Sequence, residues 1–397
     1  MKIPLRMSCL VFFALGTGAH ARAAYAPVPE VEQGKMLTFY VSGRVYHDTN
    51  IFGAPRNEIS SMVHELQPTA VFNMSATPQT FLSASYQLTL DYFEDRPGDR
   101  TIASHSMSAR VAHTFSPRLE GEISDVFQIV KNPESLLPGV STVLNSDQSY
   151  NFNQLDGRLR YTWTKRTGLA LKARAVDFAY KTGSIAEDID HAEYLAGLEM
   201  THAMREELQA VVEYRRRLIR YDRDGWRKDK DSDYLLAGAD YALGKRSALT
   251  GRLGGEWIRR KGDDDSVVPY AELAWKHDYS ANSYWSVGYA FSVVESSNLD
   301  LYTDSYTHRF FANIQHSLTP RLTASGSLNY EPGTLNGRKG LSEDRDETNL
   351  RVGAAVTYSI SKYWAFSTTL DYDRIDSDDP VRELERLRGG ASVRYVF

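Results

Sequence analysis

The stretch Leu387–Phe397, LRGGASVRYVF, decides the fold. Leu387, Gly389, Ala391, Val393, Tyr395 and Phe397 fall on one face, and Arg388, Gly390, Ser392, Arg394 and Val396 on the other. Successive side chains of a β-strand point to opposite sides, so this is a strand with one apolar and one wet face. It ends the chain on an aromatic residue, with a second aromatic two positions earlier.

The same two-residue period recurs along the chain. Leu37, Phe39, Val41, Gly43 and Val45 share a face, while Thr38, Tyr40, Ser42, Arg44 and Tyr46 share the other. Leu82, Ala84, Tyr86, Leu88, Leu90 and Tyr92 make another clean apolar face, as do Leu350, Val352, Ala354, Val356 and Tyr358. Pro68 falls inside one such segment, where a bulge is expected. The alternation yields about 18 strands, an even number as single-chain bacterial barrels use. Connections alternate in length. Tight ones at 77–79, 116–118, 165–168 and 280–283 take turns with longer, charged ones at 47–57, 131–148, 331–347 and 376–383. Short turns on one side and long loops on the other mark a transmembrane antiparallel up-and-down β-barrel, an all-β fold, with both termini on the short-turn, periplasmic side. A secreted sandwich or propeller also alternates, but with shorter strands and irregular loops.

Composition agrees. The 24 Tyr, 16 Phe and 6 Trp supply interfacial girdles, with Trp163, Trp275, Trp285 and Trp364 near strand ends. The net charge of −5 gives no reason to expect a nucleic-acid partner. Beyond the leader, no run of about 20 apolar residues offers a membrane-spanning helix, whereas a barrel wall needs none. Residues 1–23 read as a secretory signal. Lys2 and Arg6 precede the short apolar core Met7–Leu15, and A-x-A patterns follow at Ala19–Ala21 and Ala21–Ala23. Residues 24–35 form a short periplasmic tail, and 36–397 the barrel. Cys9, the sole cysteine, lies in the signal, so the mature chain offers no thiol for a disulfide, metal or nucleophile.

The terminal strand resembles the last strand of bacterial outer-membrane barrels, whose final aromatic is read by the barrel-assembly machinery. Tyr395 and Phe397 are then the assembly signal. Arg44–Phe52, RVYHDTNIF, resembles the putative β-barrel porin type 2 family through Tyr46, Asp48, Asn50, Ile51 and Phe52; Leu66-x-Pro68 and Leu119–Asp125 are similar as well. That resemblance implies a role beside surface-polysaccharide export, and with it a separate periplasmic partner that delivers the polymer. The remaining partners expected are outer-membrane lipid and lipopolysaccharide.

A barrel of this size encloses water, so its inward side chains set what passes. Parity places Arg44, Arg110, Arg158, Arg160, Lys172, Arg174, Arg215, Arg217, Arg252, Arg351, Arg388 and Arg394 inside. Glu65, Asp91, Glu120, Glu122, Asp156, Glu193, Glu199, Glu213, Glu256, Glu272, Asp371 and Asp373 join them. One reading is a basic ladder guiding an anionic solute or uronic-acid polymer. The stronger reading is cross-strand pairing, because acids and bases nearly match. The closing strands, with Arg388, Arg394, Arg44 and Arg351, carry the largest expected local excess. The third long connection, 131–148, is a candidate constriction, and 331–347 a hydrophilic loop. An outer-membrane enzyme is the alternative class. No G-x-S-x-G is present and the histidines lack ligand spacing, so no catalytic residue, cofactor or metal is expected. The acid runs Asp263–Asp265 and Asp376–Asp379 read as solvated loops.

Overall fold

The computed structural model describes residues 35–130, 140–141, 149–181, 190–223, 225–262, 264–296 and 301–397. The signal 1–23, nearly all of the tail 24–35 and most of the loop 131–148 lie outside the described residues. The strands are β1 Leu37–Asp48, β2 Ser61–Thr77, β3 Thr80–Phe93, β4 Thr101–Ser116, β5 Leu119–Val130, the dipeptide β6 Val140–Ser141, β7 Tyr150–Thr162, β8 Thr167–Tyr180, β9 His191–Ala203 and β10 Leu208–Tyr221. Then come β11 Lys230–Ala242, β12 Ser247–Arg260, β13 Ser266–Ser280, β14 Ser283–Ser296, β15 Tyr302–Thr319, β16 Leu322–Gly337, β17 Arg345–Ser359, β18 Trp364–Ser377 and β19 Leu384–Val396.

Each long strand pairs antiparallel with the next, β5 passing directly to β7. The sheet closes where β1 meets β19, in register from Tyr40↔Val396 to Asp48↔Arg388. Of the 19 strands in the sheet, all but β6 form the wall, which gives the expected 18 (19 − 1). Closure leaves no first or last strand, so the wall's backbone polar groups are paired chiefly with one another.

Exposure follows the two-residue period. On β18 and β19, Trp364, Phe366, Leu370, Leu387 and Val393 are exposed, while Ala365, Ser367, Thr369, Asp371, Asp373, Arg386 and Arg388 are buried. A wall whose apolar residues face out and whose ions face in is inverted relative to a water-soluble protein, and is stable only in lipid.

Two expectations need correction. Pro68 makes no bulge: β2 holds one register with β1 through Val41↔Pro68. The ladder to β3 skips Gln67 and Pro68, passing from Leu66↔Leu90 to Thr69↔Gln87 without a shift. Omitting two pairs accommodates the missing N–H without an inserted residue. The segment 331–347 is not a loop throughout. β16 continues to Gly337 and β17 begins at Arg345, so the hairpin stands above the wall and only 338–344 turns.

Candidate functional site

The end of the barrel with long connections is narrowed from within. β1 ends at Asp48, whose carboxylate accepts the amide of Asn50 at 3.0 Å, an Asx turn that bends the chain out of the sheet. The Asn50 side chain closes the loop. Its Oδ1 accepts the Ala54 amide at 2.9 Å, and its Nδ2 donates to the carbonyls of Ala54 at 2.8 Å and Glu385 at 3.1 Å. Gly53 supplies a left-handed φ of 60°. Ile51, 1 % exposed, is thereby seated among inward-facing Tyr46, Val63, Phe93 and Ile102, with Phe52 and Ile59 against them. Arg96 from the next long connection lies over Phe52 at 4.8 Å. Arg386 of β19 locks the arrangement, its Nε donating to the two Asp48 oxygens at 3.0 and 3.1 Å. Connection 49–60 is thus a wedge inside the lumen. In the sequence these residues serve only as a family signature. The signal that locates the wedge is Asp48-x-Asn50 followed by Ile51-Phe52 in an otherwise polar connection.

A second element leans in from the opposite wall. The β13–β14 ladder stops at Ala271↔Phe291, while β14 and β15 stay paired to Glu295↔Asp304. The released hairpin packs Val293 on Ile258 and Val268 of the inner wall. Glu295 and Asp304, outward by strict alternation, reach inner-wall cations instead. Lys230 lies 3.0 Å from each, and Arg260 lies 3.0 Å from Glu295 and 2.7 Å from Asp304. Tyr221 donates to Glu295 at 2.8 Å. Val140–Ser141, from the third long connection, pairs in parallel with Glu295–Ser296. The remainder of that connection lies outside the described residues.

Most of the predicted luminal arginines are held by carboxylates. Arg110 pairs with Glu122 at 2.8 Å, Arg158 with Glu199 at 3.2 Å and Arg174 with Asp156 at 2.5 Å. Arg215 pairs with Glu213 at 2.8 Å, Arg217 with Glu193 at 2.9 Å and Arg252 with Asp240 at 2.8 Å. Lys172 bridges Glu199 and Glu213. At the closure, three of the four arginines meet an aspartate. Arg351 and Arg388 converge on Asp373 at 3.2 and 2.9 Å, and Arg44 faces Asp371 at 3.5 Å. The register sets Asp371 opposite Arg388 and Asp373 opposite Arg351, so β18 neutralises its neighbours on both sides. Arg160 and Arg394 have no carboxylate partner among the described residues. Arg394 sits 5.9 Å from the Tyr40 ring, and Arg160 is exposed.

Arg160 opens onto a cavity of ≈ 540 Å³ against the inner wall of β7–β13, toward the short-turn end. Seven cations line it (Arg158, Arg160, Lys165, Arg166, Lys172, Arg215 and Arg252) against four carboxylates, Glu199, Glu213, Asp240 and Glu272. This wall carries a cation excess of three (7 − 4). At the short-turn rim Tyr395 packs between Trp364, with centroids 4.6 Å apart, and Phe397, at 4.8 Å.

A closed 18-stranded wall, apolar outside and ionic inside, with short turns at one end and inward-folded loops at the other, defines a porin-like outer-membrane β-barrel channel. Residues 215–397 match the model of the family described as putative beta-barrel porin 2. The resemblance read from the sequence is borne out over that span, although the motifs that first carried it lie before it. No curated protein matches the chain. Among solved structures, the BenF-like porin from Pseudomonas fluorescens Pf-5 is similar, with 10% identity and a TM-score of 0.51 over 91% of this chain and 99% of that one. OccAB4 of Acinetobacter baumannii shows 10% identity and a TM-score of 0.47 over 92% and 99% of the two chains. At this identity the likeness is one of fold.

Proposed function

We propose that the barrel is a passive conduit for small hydrophilic solutes with a preference for anions. One observation carries the reading: the cation excess along the β7–β13 wall, with Arg160 unpaired in a water-accessible cavity. A guanidinium with no carboxylate attracts a solute anion, whereas the paired arginines present little net charge. The wedge and the leaning hairpin narrow the opposite end, which favours small solutes over bulky ones. Export of an anionic surface polysaccharide, the role the family resemblance implies, would use the same wall and would need a separate periplasmic partner in addition. The family matched is a porin family rather than an enzyme family, and the conduit reading needs no catalytic group.

The test is recording in planar bilayers under a salt gradient. Wild-type protein is expected to conduct with a reversal potential on the anion side, and Arg160→Glu to move it toward cations. Absence of conductance, or an unchanged potential in a folded Arg160→Glu variant, overturns the reading. Brief current blocks by uronic-acid oligomers added from the short-turn side would instead favour the polymer.

A further inference from the structure

Most charges of this wall point inward, but the outer face of β10–β12 departs from that rule at its long-loop end. Arg216 and Arg220 of β10, Asp231 and Asp233 of β11 and Arg259 of β12 share parity with exposed, lipid-facing Val212, Tyr214, Leu235, Leu253 and Trp257. Their depth follows from strand geometry. Leu208 starts β10 at the short-turn end, and Arg216 and Arg220 are 8 (216 − 208) and 12 (220 − 208) residues further on. At about 3.4 Å per residue and a tilt of about 40°, they stand roughly 21 and 31 Å above Leu208. An apolar band is about 25 Å tall, so the cluster straddles its long-loop edge, just above the aromatics Tyr214 and Trp257.

The cluster is ordered yet unsaturated. Arg216 holds Asp233 at 2.9 Å and Asp231 at 2.8 Å, Arg220 holds Asp231 at 2.6 Å, and Arg259 pairs with Asp233. Arg220 also lies 3.9 Å from Asp229, which Lys261 holds at 3.1 Å, so four cations meet three carboxylates and leave a net +1 (4 − 3), and the arginine side chains remain 40%, 37% and 46% exposed in the same order. Arg259 engages through Nη2 alone among the described residues, which leaves Nε and Nη1 without a protein partner. The outward cluster at Arg374, Asp376 and Glu385 has the opposite balance, one cation to two acids.

We propose that Arg216, Arg220 and Arg259 form a docking site for the phosphorylated headgroup of an outer-leaflet glycolipid of the lipid A type. The two aspartates fix the guanidinium planes, so the forks meet a phosphate pre-oriented. Acyl chains then descend over Val212, Leu235 and Leu253. Charge complementarity selects the phosphate, and depth selects a lipid over a soluble anion.

Native mass spectrometry of the full chain in detergent, titrated with lipid A, tests the site. The expected species is a monomer carrying lipid A. Arg216→Gln/Arg259→Gln should weaken binding at least tenfold, whereas Arg374→Gln should leave it unchanged. Dephosphorylated lipid A should bind no better to wild type than lipid A does to the double variant, and inorganic phosphate should not compete. Equal binding by wild type and double variant overturns the site, as does phosphatidylglycerol binding as tightly as lipid A. A wild-type dimer that the substitutions dissociate assigns the patch to a second copy and also overturns it. If the double variant fails to reach the folded, heat-modifiable form, Arg259→Gln alone serves, and affinity equal to wild type refutes the proposal. The luminal conductance of these variants should stay at the wild-type level, because none of the substituted residues faces the channel.

Discussion

Asp48→Asn isolates the ion pair that seats the wedge. Asparagine keeps an oxygen for the Asn50 amide, so the Asx turn survives, while the charge facing Arg386 is lost. Asp48 is 0% exposed and its partner 6%. Breaking one side of a buried pair costs about 3–5 kcal/mol, and each 1.4 kcal/mol is tenfold in an equilibrium. The ratio of seated to released wedge should therefore fall by roughly 10²–10⁴. Ile51→Ala approaches the same element from its apolar side. At 1% exposure, its truncation should cost about 2–5 kcal/mol. The two losses should not add, since either one frees the same segment. Single-channel recording reads the outcome: both variants should show higher conductance and more open-channel noise than wild type. Variants that fold to the heat-modifiable form but keep wild-type conductance and noise would refute the idea that 49–60 narrows the channel.

Two further substitutions test the closing strand. Gly390→Ala would set a Cβ 2.3 Å from the Val45 carbonyl and 2.4 Å from Tyr46 Cβ. The seam should lose about 1–3 kcal/mol, seen as a lower melting temperature of the heat-modifiable band. Gly389→Ala, whose new atom meets only flexible Leu370 at 3.3 Å, should melt as wild type does. Phe397→Ala is expected to slow barrel assembly in cells while leaving refolding into detergent unaffected. Equal slowing in both settings would make Phe397 a packing residue and not a recognition signal.

The wall was legible because its information is local. Side-chain parity follows from neighbours two positions apart, so the apolar faces and the inward arginines could be read residue by residue. Pairing was not legible, because it depends on the stagger between strands. Asp373 lies between Arg351 and Arg388 only in the register that the closed barrel adopts. That is why the seam looked unpaired in sequence, while in the fold three of its four arginines meet an aspartate. Parity also fails where a strand leaves the wall. Glu295 and Asp304 count as outward, but the hairpin that carries them detaches from β13 and turns that face onto Lys230 and Arg260. The wedge was hidden for a further reason: its anchor joins Asp48 to Arg386, the two ends of the barrel sequence.

That long-range anchor orders events as well as positions. The wedge's long-range polar contacts, from Asp48 to Arg386 and from Asn50 to the Glu385 carbonyl, land on β19. So does the Thr49 amide, which donates to the Leu387 carbonyl at 3.0 Å. β19 is the last strand of the chain, and β1 meets it only when the sheet closes. Until then Asp48 lacks the Arg386 guanidinium, and Asn50 keeps only its local bonds to Ala54. The inner face of β19 is used in sequence from its short-turn end. Gly390 admits the Cβ and backbone of Tyr46, Arg388 takes Asp373, and Arg386 takes Asp48. Closure of the seam therefore supplies the wedge's buried ion pair, and a barrel still open at β1–β19 holds the wedge by its local and apolar contacts alone.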